Sequence, residues 1–526
     1  MGKPLRPGIS KLTTTRLHVK PVLKVGLWLY VLLALAGCNL PAVILPGSIS
    51  QPSLSTVVAS PRPDIPQSTA ILIPTKKFEP TPTISPTPMP PYLYTTQSGD
   101  YLANLAARFG IQASEINSAE PIQAEGLMKP GQLMIIPRVL GQTSPSTAIL
   151  PDSEVVYSPT ALDLDINSFI MNAGGYLANY TEWVNSQTHT GAEVVQIVAQ
   201  ENSFSPRILL ALLEYQSHWV TAAPGNLAES EFPMGELNIN YRGLYKQLNW
   251  AIRQLAIGYY GWRSGTLTEL TFSDQTTLRL SPDLNAGTVA VQYFFSKRYN
   301  IREWSGALYA SDGFPSLYEK LFGNPWLRTQ PFEPFFPPDL TQPVLELPFF
   351  YDRIWSYTGG PHMAWGADSA RAAIDFAPGS TEAGCIPSNA WVLAPAPGLV
   401  IRSDNGVVIL DLDGDGIEQT GWVLLFLHLA ADKRVAAGTR VNLNDPLGNP
   451  SCEGGMATGT QFHFARKYNG EWILADGPLP FVLGGWRAHA GPNNYEGTLT
   501  KDGQTITACT CGSSETKILR PHPAGP

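Results

Sequence analysis

Four short segments in the last third of the chain constrain its fold more than any other feature. The segments are Gly-Gly-Pro-His362, Ala-Ile-Asp375-Phe, Phe-Leu-His428-Leu and Gln461-Phe-His463-Phe. Two imidazoles and one carboxylate can occupy three corners of a tetrahedral metal site and leave the fourth corner to water, as catalytic zinc sites do. The sequence around them alternates apolar and polar residues and is punctuated by glycine turns. This pattern predicts an antiparallel sheet sandwich or open barrel.

The order of these motifs resembles that of the lysostaphin-type (LytM-type) zinc endopeptidases, which cut peptide cross-links in bacterial peptidoglycan. The resemblance spans roughly residues 348–486 and implies a peptidase domain over 340–490 with a bound Zn²⁺. Position 461 departs from the family pattern, because Gln461 stands where the family has a second catalytic His. Gln461 can donate a hydrogen bond but cannot take up and release a proton near neutral pH. The family usually places its first zinc ligand four residues before the Asp, where this chain has Arg371, and His362 is the only His nearby. The resemblance therefore implies zinc ligands His362, Asp375 and His463, an inserted loop over 363–373, and a catalytic role for His428.

The first 38 residues predict a lipoprotein signal peptide. A basic segment without acidic residues precedes an apolar run, Val25 to Ala36, that is too short to span a membrane comfortably. The run ends in Leu35-Ala-Gly-Cys38, which resembles a lipobox with Cys38 as the lipidated residue. Lipidation would hold the protein on a membrane surface outside the cytoplasm, at the cell envelope. The alternative is an uncleaved signal anchor.

Composition divides the remainder of the chain. The net charge is −8, which argues against a nucleic-acid partner. The chain has 47 prolines, about twice the usual frequency. Residues 39–91 are dominated by Pro, Ser and Thr, which predicts a disordered, extended tether. A second linker is predicted over 138–160.

Residues 92–137 resemble a LysM domain, with a Gly99-Asp100 signature near the start and Pro130-Gly131-Gln132 before the last apolar strand. Apolar residues from Leu102 to Phe109 have helical spacing, and Gly110 ends that helix. The resemblance implies a small α+β domain of βααβ order that binds N-acetylglucosamine-containing glycans. The glycan-binding residues it implies are Gly99, Asp100, Tyr101, Leu102, Leu127, Pro130 and Gly131.

Residues 161–335 are predicted to be mostly helical. The phrase Ala-Leu-Leu-Glu214-Tyr-Gln216-Ser faintly resembles lysozyme-like lytic transglycosylases, so the region is a candidate degenerate lysozyme-like domain. A glycosidase needs a carboxylic acid beside the scissile oxygen. Gln216 occupies the preferred position for that acid, and Glu214 lies two residues earlier. We therefore expect this region to bind glycan or to pack against the peptidase domain.

Cysteine usage fits an oxidising compartment. We expect Cys385 to pair with Cys452, because each lies near a strand that carries a ligand of one site. Cys509 and Cys511 lie in a hairpin-like tail over 491–526, and their pairing is left open. The acidic run from Asp411 to Glu418 is interpreted as a hairpin turn in preference to a calcium loop, since Trp422 occupies the position where such a loop needs Glu.

Together these features predict a multidomain protein: a small α+β module, a mostly α middle region and a mostly β peptidase domain. Two functions remain open. The first is a lipid-anchored peptidase that binds peptidoglycan glycan strands and cuts stem or cross-bridge peptides. The second is a degenerate peptidase fold that serves as a scaffold or regulator of the cell wall.

Overall fold

The computed structural model describes residues 90–137, 140–379, 384–511 and 513–522. The predicted signal peptide, Cys38 and nearly all of the proline-rich tether lie outside these residues. Among the helices described, none combines the length and the apolar character needed to cross a membrane.

The segment predicted as a LysM domain contains one helix and a three-stranded antiparallel sheet. Its elements are β1 (Tyr92–Thr95), α1 (Leu102–Phe109), β2 (Asn117–Ser118) and β3 (Leu133–Ile136), with sheet order β1-β3-β2. The second helix of the expected βααβ order is reduced to a single 3-10 turn, Ala113–Glu115. The chain pairs with β3 from Asn117 onward, which leaves too few residues for a longer helix. The sheet and α1 enclose a small core of their own, including Tyr94, Phe109 and Met134.

Helices dominate the middle region. They are α2 (Ile166–Ala173), α3 (Gly191–Asn202), α4 (Pro206–Ser217), α5 (Leu227–Glu231), α6 (Leu244–Ser264), α7 (Ala286–Ser296), α8 (Ile301–Tyr309), α9 (Phe314–Phe322) and α10 (Pro325–Thr329). Two hairpins accompany them, β4 (Thr181–Val184) with β5 (Gln187–Thr190) and β6 (Glu269–Thr271) with β7 (Thr277–Arg279). The continuous apolar run Ile208–Leu213 is explained by α4, which is fully buried over those residues.

The predicted linker over 138–160 is wrong for its second half. Leu150, Val155 and Val156 are buried in the core of the helical region, and Asp152–Glu154 forms a 3-10 turn. These apolar side chains anchor the segment to the helices, so the folded region begins before residue 150.

The C-terminal region confirms the predicted β-rich fold. A nine-stranded antiparallel sheet has the order β14-β11-β12-β13-β16-β9-β8-β22, with β17 paired to β16. Its strands are β8 (Ile354–His362), β9 (Ala373–Pro378), β11 (Gly398–Asp404), β12 (Val407–Asp411), β13 (Trp422–Leu427), β14 (Arg440–Val441), β16 (Phe462–Tyr468), β17 (Glu471–Trp472) and β22 (Lys517–Leu519). A separate pair joins β10 (Val392–Leu393) to β15 (Pro446–Gly448).

The predicted boundary between a peptidase domain and a C-terminal tail also shifts. A second sheet runs in the order β18 (Val482–Leu483), β19 (Trp486–Ala490), β20 (Gly497–Lys501) and β21 (Gln504–Thr507). The expected hairpin β20–β21 therefore belongs to the same sheet as β19, and β22 pairs with β8. Residues 491–522 complete the domain because their strands hydrogen-bond to it.

Both faces of the large sheet are buried. Val423 and Leu425 of β13 lie in one core with the helices, whereas Leu424 and Phe426 lie in the core on the opposite face. Strand β12 alternates in the same way. The helical region therefore covers one face of the sheet, which explains why β12 and β13 are continuously apolar in sequence.

Candidate metal centre

The three predicted metal ligands converge at one point, although they come from separate strands. His463 of β16 is the register partner of Asp375 of β9, and Asp375 is in turn paired with Gly359 of β8, three residues before His362. His362 Nε2 lies 3.3 Å from Asp375 Oδ1, and His463 Nδ1 lies 3.2 Å from the same oxygen. The two imidazole nitrogens are 3.0 Å apart. All three side chains are buried.

Backbone carbonyls fix the tautomers of both histidines. The other nitrogen of His362, Nδ1, lies 2.8 Å from Gly360 O, and the other nitrogen of His463, Nε2, lies 3.0 Å from Ala364 O. A carbonyl oxygen can only accept, so these nitrogens carry the protons. The lone pairs of His362 Nε2 and His463 Nδ1 therefore face Asp375 Oδ1. This is the arrangement by which metal-ligating histidines are oriented through the hydrogen bond of the second nitrogen.

The donor set fits zinc. Asp375 Oδ1 is buried and has no hydrogen-bond donor, so three acceptor atoms face one another with no proton between them. Ligands at about 2.0–2.1 Å from a tetrahedral zinc would be about 3.3 Å apart, close to the separations observed. Burial raises the pKa of Asp375, but the adjacent His362 and His463, when protonated, lower it by more, so the net pKa lies well below its usual range. Asp375 is thus held as the carboxylate that a cation requires.

The two glycines of the Gly-Gly-Pro-His362 motif are explained by neighbouring atoms that lie too close for a side chain. A Cβ at Gly359 would lie 2.7 Å from Asp375 Oδ2, and a Cβ at Gly360 would lie 2.5 Å from the backbone C and O of Glu496. Each glycine therefore leaves room for a neighbour that builds the site.

His428 is held at the edge of the site by its backbone and by one hydrogen bond. It follows β13 with φ of 70°, a left-handed conformation that few side chains adopt, and its Nδ1 lies 2.8 Å from Glu453 O. That contact places the proton on Nδ1 and leaves Nε2 as an acceptor. Burial lowers the pKa of His428, which favours the neutral ring. Its ring centroid is 6.4 Å from that of His463.

Gln461 lies directly before β16 and is linked to His428 through Ser451. Ser451 donates its N–H and hydroxyl to His428 O at 2.6 and 3.0 Å, and it forms a β-bridge with Gln461. Gln461 Oε1 lies 3.5 Å from the Thr358 hydroxyl. The two predicted catalytic residues therefore flank the same loop.

A disulfide fixes that loop. Cys385 and Cys452 are joined, with an S–S distance of 2.04 Å, and Cys452 lies between Ser451 and Glu453, both of which contact His428. Cys509 and Cys511 form a second disulfide.

Two residues that contribute to the centre were missed in the sequence. The Tyr495 ring stacks on the His362 imidazole with centroids 4.1 Å apart. Arg371 donates to Pro361 O, Gly491 O and Asn493 O. Tyr495 is 120 residues from Asp375 and carries no motif, so nothing in the sequence pointed to it.

A cleft opens beside the inserted loop that joins His362 to Asp375. Its volume is about 410 Å³, and it lies between the segment from Met363 to Arg371 on one wall and α6, including Tyr260 and Ser264, on the other. Clefts of this size at domain boundaries are common ligand sites.

The predicted glycan-binding loops face α6 and the peptidase sheet, and Gly99, Tyr101 and Leu127 line only a small cavity of about 40 Å³ there. Arg263 Nη1 donates to Ser98 O at 2.7 Å, and a Cβ on Gly99 would lie 2.0 Å from that nitrogen. The Asp100 carboxylate accepts bonds within the module from Tyr94, Gln97 and Arg108. Of the seven predicted residues, Gly99, Asp100 and Leu127 are buried, Tyr101, Leu102 and Pro130 are partly exposed, and Gly131 is exposed.

The candidate glycosidase position in α4 is structural. Glu214 accepts hydrogen bonds from Val220 N, Thr221 N and the Thr221 hydroxyl, so it holds the turn after the helix. The Gln216 amide nitrogen is buried without a partner. Neither residue is placed to protonate a glycosidic oxygen.

Likewise, the run from Asp411 forms a hairpin turn. The Asp411 carboxylate accepts the N–H groups of Asp413, Gly414 and Gly416, and Glu418 is ion-paired with Arg402 and Lys467.

Comparisons with known proteins find similarity to peptidases and to one protease N-terminal domain family. Residues 148–334 match the family model of the LasA N-terminal domain. The chain is 23% identical over 325 residues to Protease LasA of Pseudomonas aeruginosa (strain UCBPP-PA14), which covers 56% of this chain and 69% of LasA. It is 26% identical over 174 residues to the beta-lytic metalloendopeptidase of Achromobacter lyticus, which covers 31% of this chain and 43% of that protein.

Among solved structures, the M23 metalloprotease pseudoalterin matches with 21% identity and a TM-score of 0.29, over 34% of this chain and 100% of that chain. The catalytic domain of lysostaphin from Staphylococcus simulans matches with 20% identity and a TM-score of 0.17, over 23% of this chain and 87% of that chain. The sequence relatives thus support a metallopeptidase domain in the C-terminal region. The match of the helical region to the LasA N-terminal domain was not expected from the sequence.

Proposed function

We propose that this protein is a zinc-dependent endopeptidase that hydrolyses peptide bonds in bacterial peptidoglycan. The observation that carries the proposal is the convergence of His362 Nε2, His463 Nδ1 and Asp375 Oδ1, all as acceptors, within 3.0–3.3 Å of one another. Three protein ligands with a fourth position for water are typical of catalytic zinc. The sequence relatives, among them a metalloendopeptidase, support the same reaction class.

Zinc held by these three residues would lower the pKa of a bound water to about 7 and polarise the peptide carbonyl. His428 accepts a proton at Nε2, since its Nδ1 is committed to Glu453 O. Gln461 donates an amide N–H to the developing oxyanion, a role that does not require titration.

The finer parts of the proposal concern location and wall binding. Lipidation of Cys38 would anchor the protein on the outer side of a membrane, and the module 92–137 would bind N-acetylglucosamine-containing glycan strands. Pro130 and Gly131 are accessible for such contacts. Contacts through Gly99 require the module to move away from Arg263.

The test combines zinc content with release of new amino groups from purified peptidoglycan. The full chain is expected to hold one zinc and to release amino groups, and a His463→Ala variant with the same circular dichroism spectrum is expected to do neither. Wild-type protein that contains no zinc after purification in zinc-supplemented buffer would contradict the proposal. In cells, Cys38→Ser is expected to leave the membrane fraction, and unchanged membrane association would exclude lipid anchoring.

Gln461 favours a second candidate, a wall-binding scaffold with an inactive peptidase fold. This function predicts that zinc is bound but that neither wild type nor Gln461→His releases amino groups. The two candidates are therefore separated by the same assay.

A further inference from the structure

Arg371 stands four residues before Asp375, where the resembled family usually places its first metal ligand. In this structure His362 is the converging imidazole, and the Arg371 side chain has a different set of contacts. Its Nε donates to Pro361 O at 3.1 Å, directly before His362. Its Nη2 donates to Gly491 O at 3.0 Å and to Asn493 O at 2.8 Å.

The carbonyls of Gly491 and Asn493 belong to a strap, defined here as residues 491–497, that lies against the His362 turn. Gly491 N donates to Glu496 O, and the Glu496 carboxylate accepts from Asn493, so the strap closes on itself. Gly360 N donates to Tyr495 O at 2.8 Å. The strap therefore packs on the turn that carries His362.

Two contacts pass from the strap to the first ligand. Gly360, which is bonded to Tyr495, supplies the carbonyl that accepts the His362 Nδ1–H. The Tyr495 ring stacks on the His362 imidazole at 4.1 Å with an interplanar angle of 23°. Both contacts orient the imidazole whose Nε2 faces Asp375.

We propose that Arg371 is a positioning residue for the metal centre: its guanidinium ties the strap to the His362 turn and thereby holds Tyr495 and the Gly360 carbonyl against the imidazole. Arginine suits this role because its planar fork can satisfy three carbonyls from two segments at once. Lysine carries its donors on a single nitrogen, so it would bond to only some of these three carbonyl oxygens. The inference rests on the proposed zinc site.

The test measures how fast zinc passes from the full-length protein to a chromophoric chelator. Mutation of residues that orient a metal ligand typically costs about 10- to 100-fold in affinity. We therefore expect Arg371→Gln to accelerate zinc loss by about tenfold or more. The rate of zinc loss from Arg371→Lys should lie between those of Arg371→Gln and wild type. The matched control is Arg253→Gln. Arg253 is an exposed residue of α6 that is ion-paired with Asp368, and Asp368 lies in the same inserted loop as Arg371. This control variant should leave the rate unchanged.

A double-mutant cycle decides whether Arg371 acts through Tyr495. Tyr495→Ala should accelerate zinc loss like Arg371→Gln, the double variant should be no faster than the singles, and Tyr495→Phe should behave as wild type because the ring remains. Effects that multiply in the double variant, or an Arg371→Gln rate equal to that of Arg253→Gln, would overturn the proposal. Should Arg371→Gln fail to fold, a Tyr495→Ala rate equal to wild type would overturn it as well.

Hydrogen exchange of the metal-free protein separates this proposal from the proposed function. The Gly360 amide, which donates to Tyr495 O, should exchange faster in Arg371→Gln than in wild type and be unchanged in Arg253→Gln. If the protein binds no zinc yet shows this exchange pattern, the proposed zinc site is refuted, but the role of Arg371 in holding the strap stands. Unchanged exchange at Gly360 would refute the role of Arg371 itself.

Discussion

Removal of the Arg263 guanidinium should destabilise the whole folded unit, because this one group joins four segments. Its nitrogens contact Glu471 Oε1 and Oε2 at 3.0 Å each, Asp152 Oδ2 at 2.8 Å and Ser98 O at 2.7 Å. The side chains of Arg263, Asp152 and Glu471 are 7%, 11% and 5% exposed, so little water can replace a lost partner. Arg263→Met would keep the apolar stem and leave both carboxylates without their cation.

Breaking a buried ion pair from one side costs about 3–5 kcal/mol. Glu471 keeps its bond from the Tyr259 hydroxyl at 2.6 Å, so we expect a value inside that range. For a unit of this size, about 1 kcal/mol corresponds to about 1 °C in the midpoint, which predicts a fall of about 3–5 °C. The control is Arg253→Met on the same helix, whose exposed pair with Asp368 is worth less than about 1 kcal/mol.

The assay is thermal unfolding of the full chain at pH 7, with hydrogen exchange of residues 97–104 as a local readout. Arg263→Met should also speed exchange there, because Ser98 O loses its bond to α6 while the bonds from Tyr101 and Asn104 to α6 carbonyls remain. Addition of Glu471→Leu to Arg263→Met should recover part of the loss, since fewer charges remain buried without a partner. Equal midpoints for Arg263→Met and Arg253→Met would refute the reasoning.

Three further predictions concern single residues. His463→Ala should reduce the bound zinc measured by mass spectrometry to background, while the free energy of unfolding of the metal-free protein falls by less than about 2 kcal/mol. Zinc retained by this variant would exclude His463 as a ligand. Gln461→His should raise turnover at least about tenfold, because a titrating group typically contributes about 10² to 10⁴, and slower turnover would show that Gln461 is a working variant. Burial raises the pKa of Glu418, but Lys467 and Arg402 lower it to about 2 overall, so its stabilisation is present at neutral pH and is lost as pH falls from about 4.5 toward 2. Glu418→Gln should therefore lower the midpoint at pH 7 and flatten its decline below pH 5, whereas a decline as steep as that of wild type would contradict this assignment.

The candidate ligands could be found in the sequence because each lies in a short motif on a regular strand. His463 and Asp375 are register partners, so the sheet brings them together without help from distant loops. The inserted loop between His362 and Asp375 was expected from the absence of a histidine four residues before Asp375. The pairing of Cys385 with Cys452 followed from the same proximity.

The other contributions to the site arise from long-range contacts that leave no local pattern. Arg371 donates to backbone carbonyls and the Tyr495 ring stacks on His362, and neither contact has a sequence signature. The module docks on α6 through the Arg263 guanidinium and through bonds from Tyr101, Asn104 and Arg108 to α6 carbonyls, and none of these contacts has a pattern in the sequence. The linker error has a simpler cause: prolines and serines around residue 145 hid the apolar residues Leu150, Val155 and Val156, which the helices bury.

The position of the metal centre in the sheet explains why the helical region matters to it. Ala373 and Ala465 are register partners in the core shared with the helices, whereas Ile374 and Phe464 are partners in the opposite core. Side chains alternate along a strand, so Asp375 and His463 emerge on the face that the helical region covers. Both strands are therefore packed on their two faces directly beside their ligands, after His463 in β16 and before Asp375 in β9, which limits movement of the ligand atoms. The helical region also forms one wall of the cleft beside the inserted loop, so it both supports the ligand strands and contacts the segment that joins His362 to Asp375.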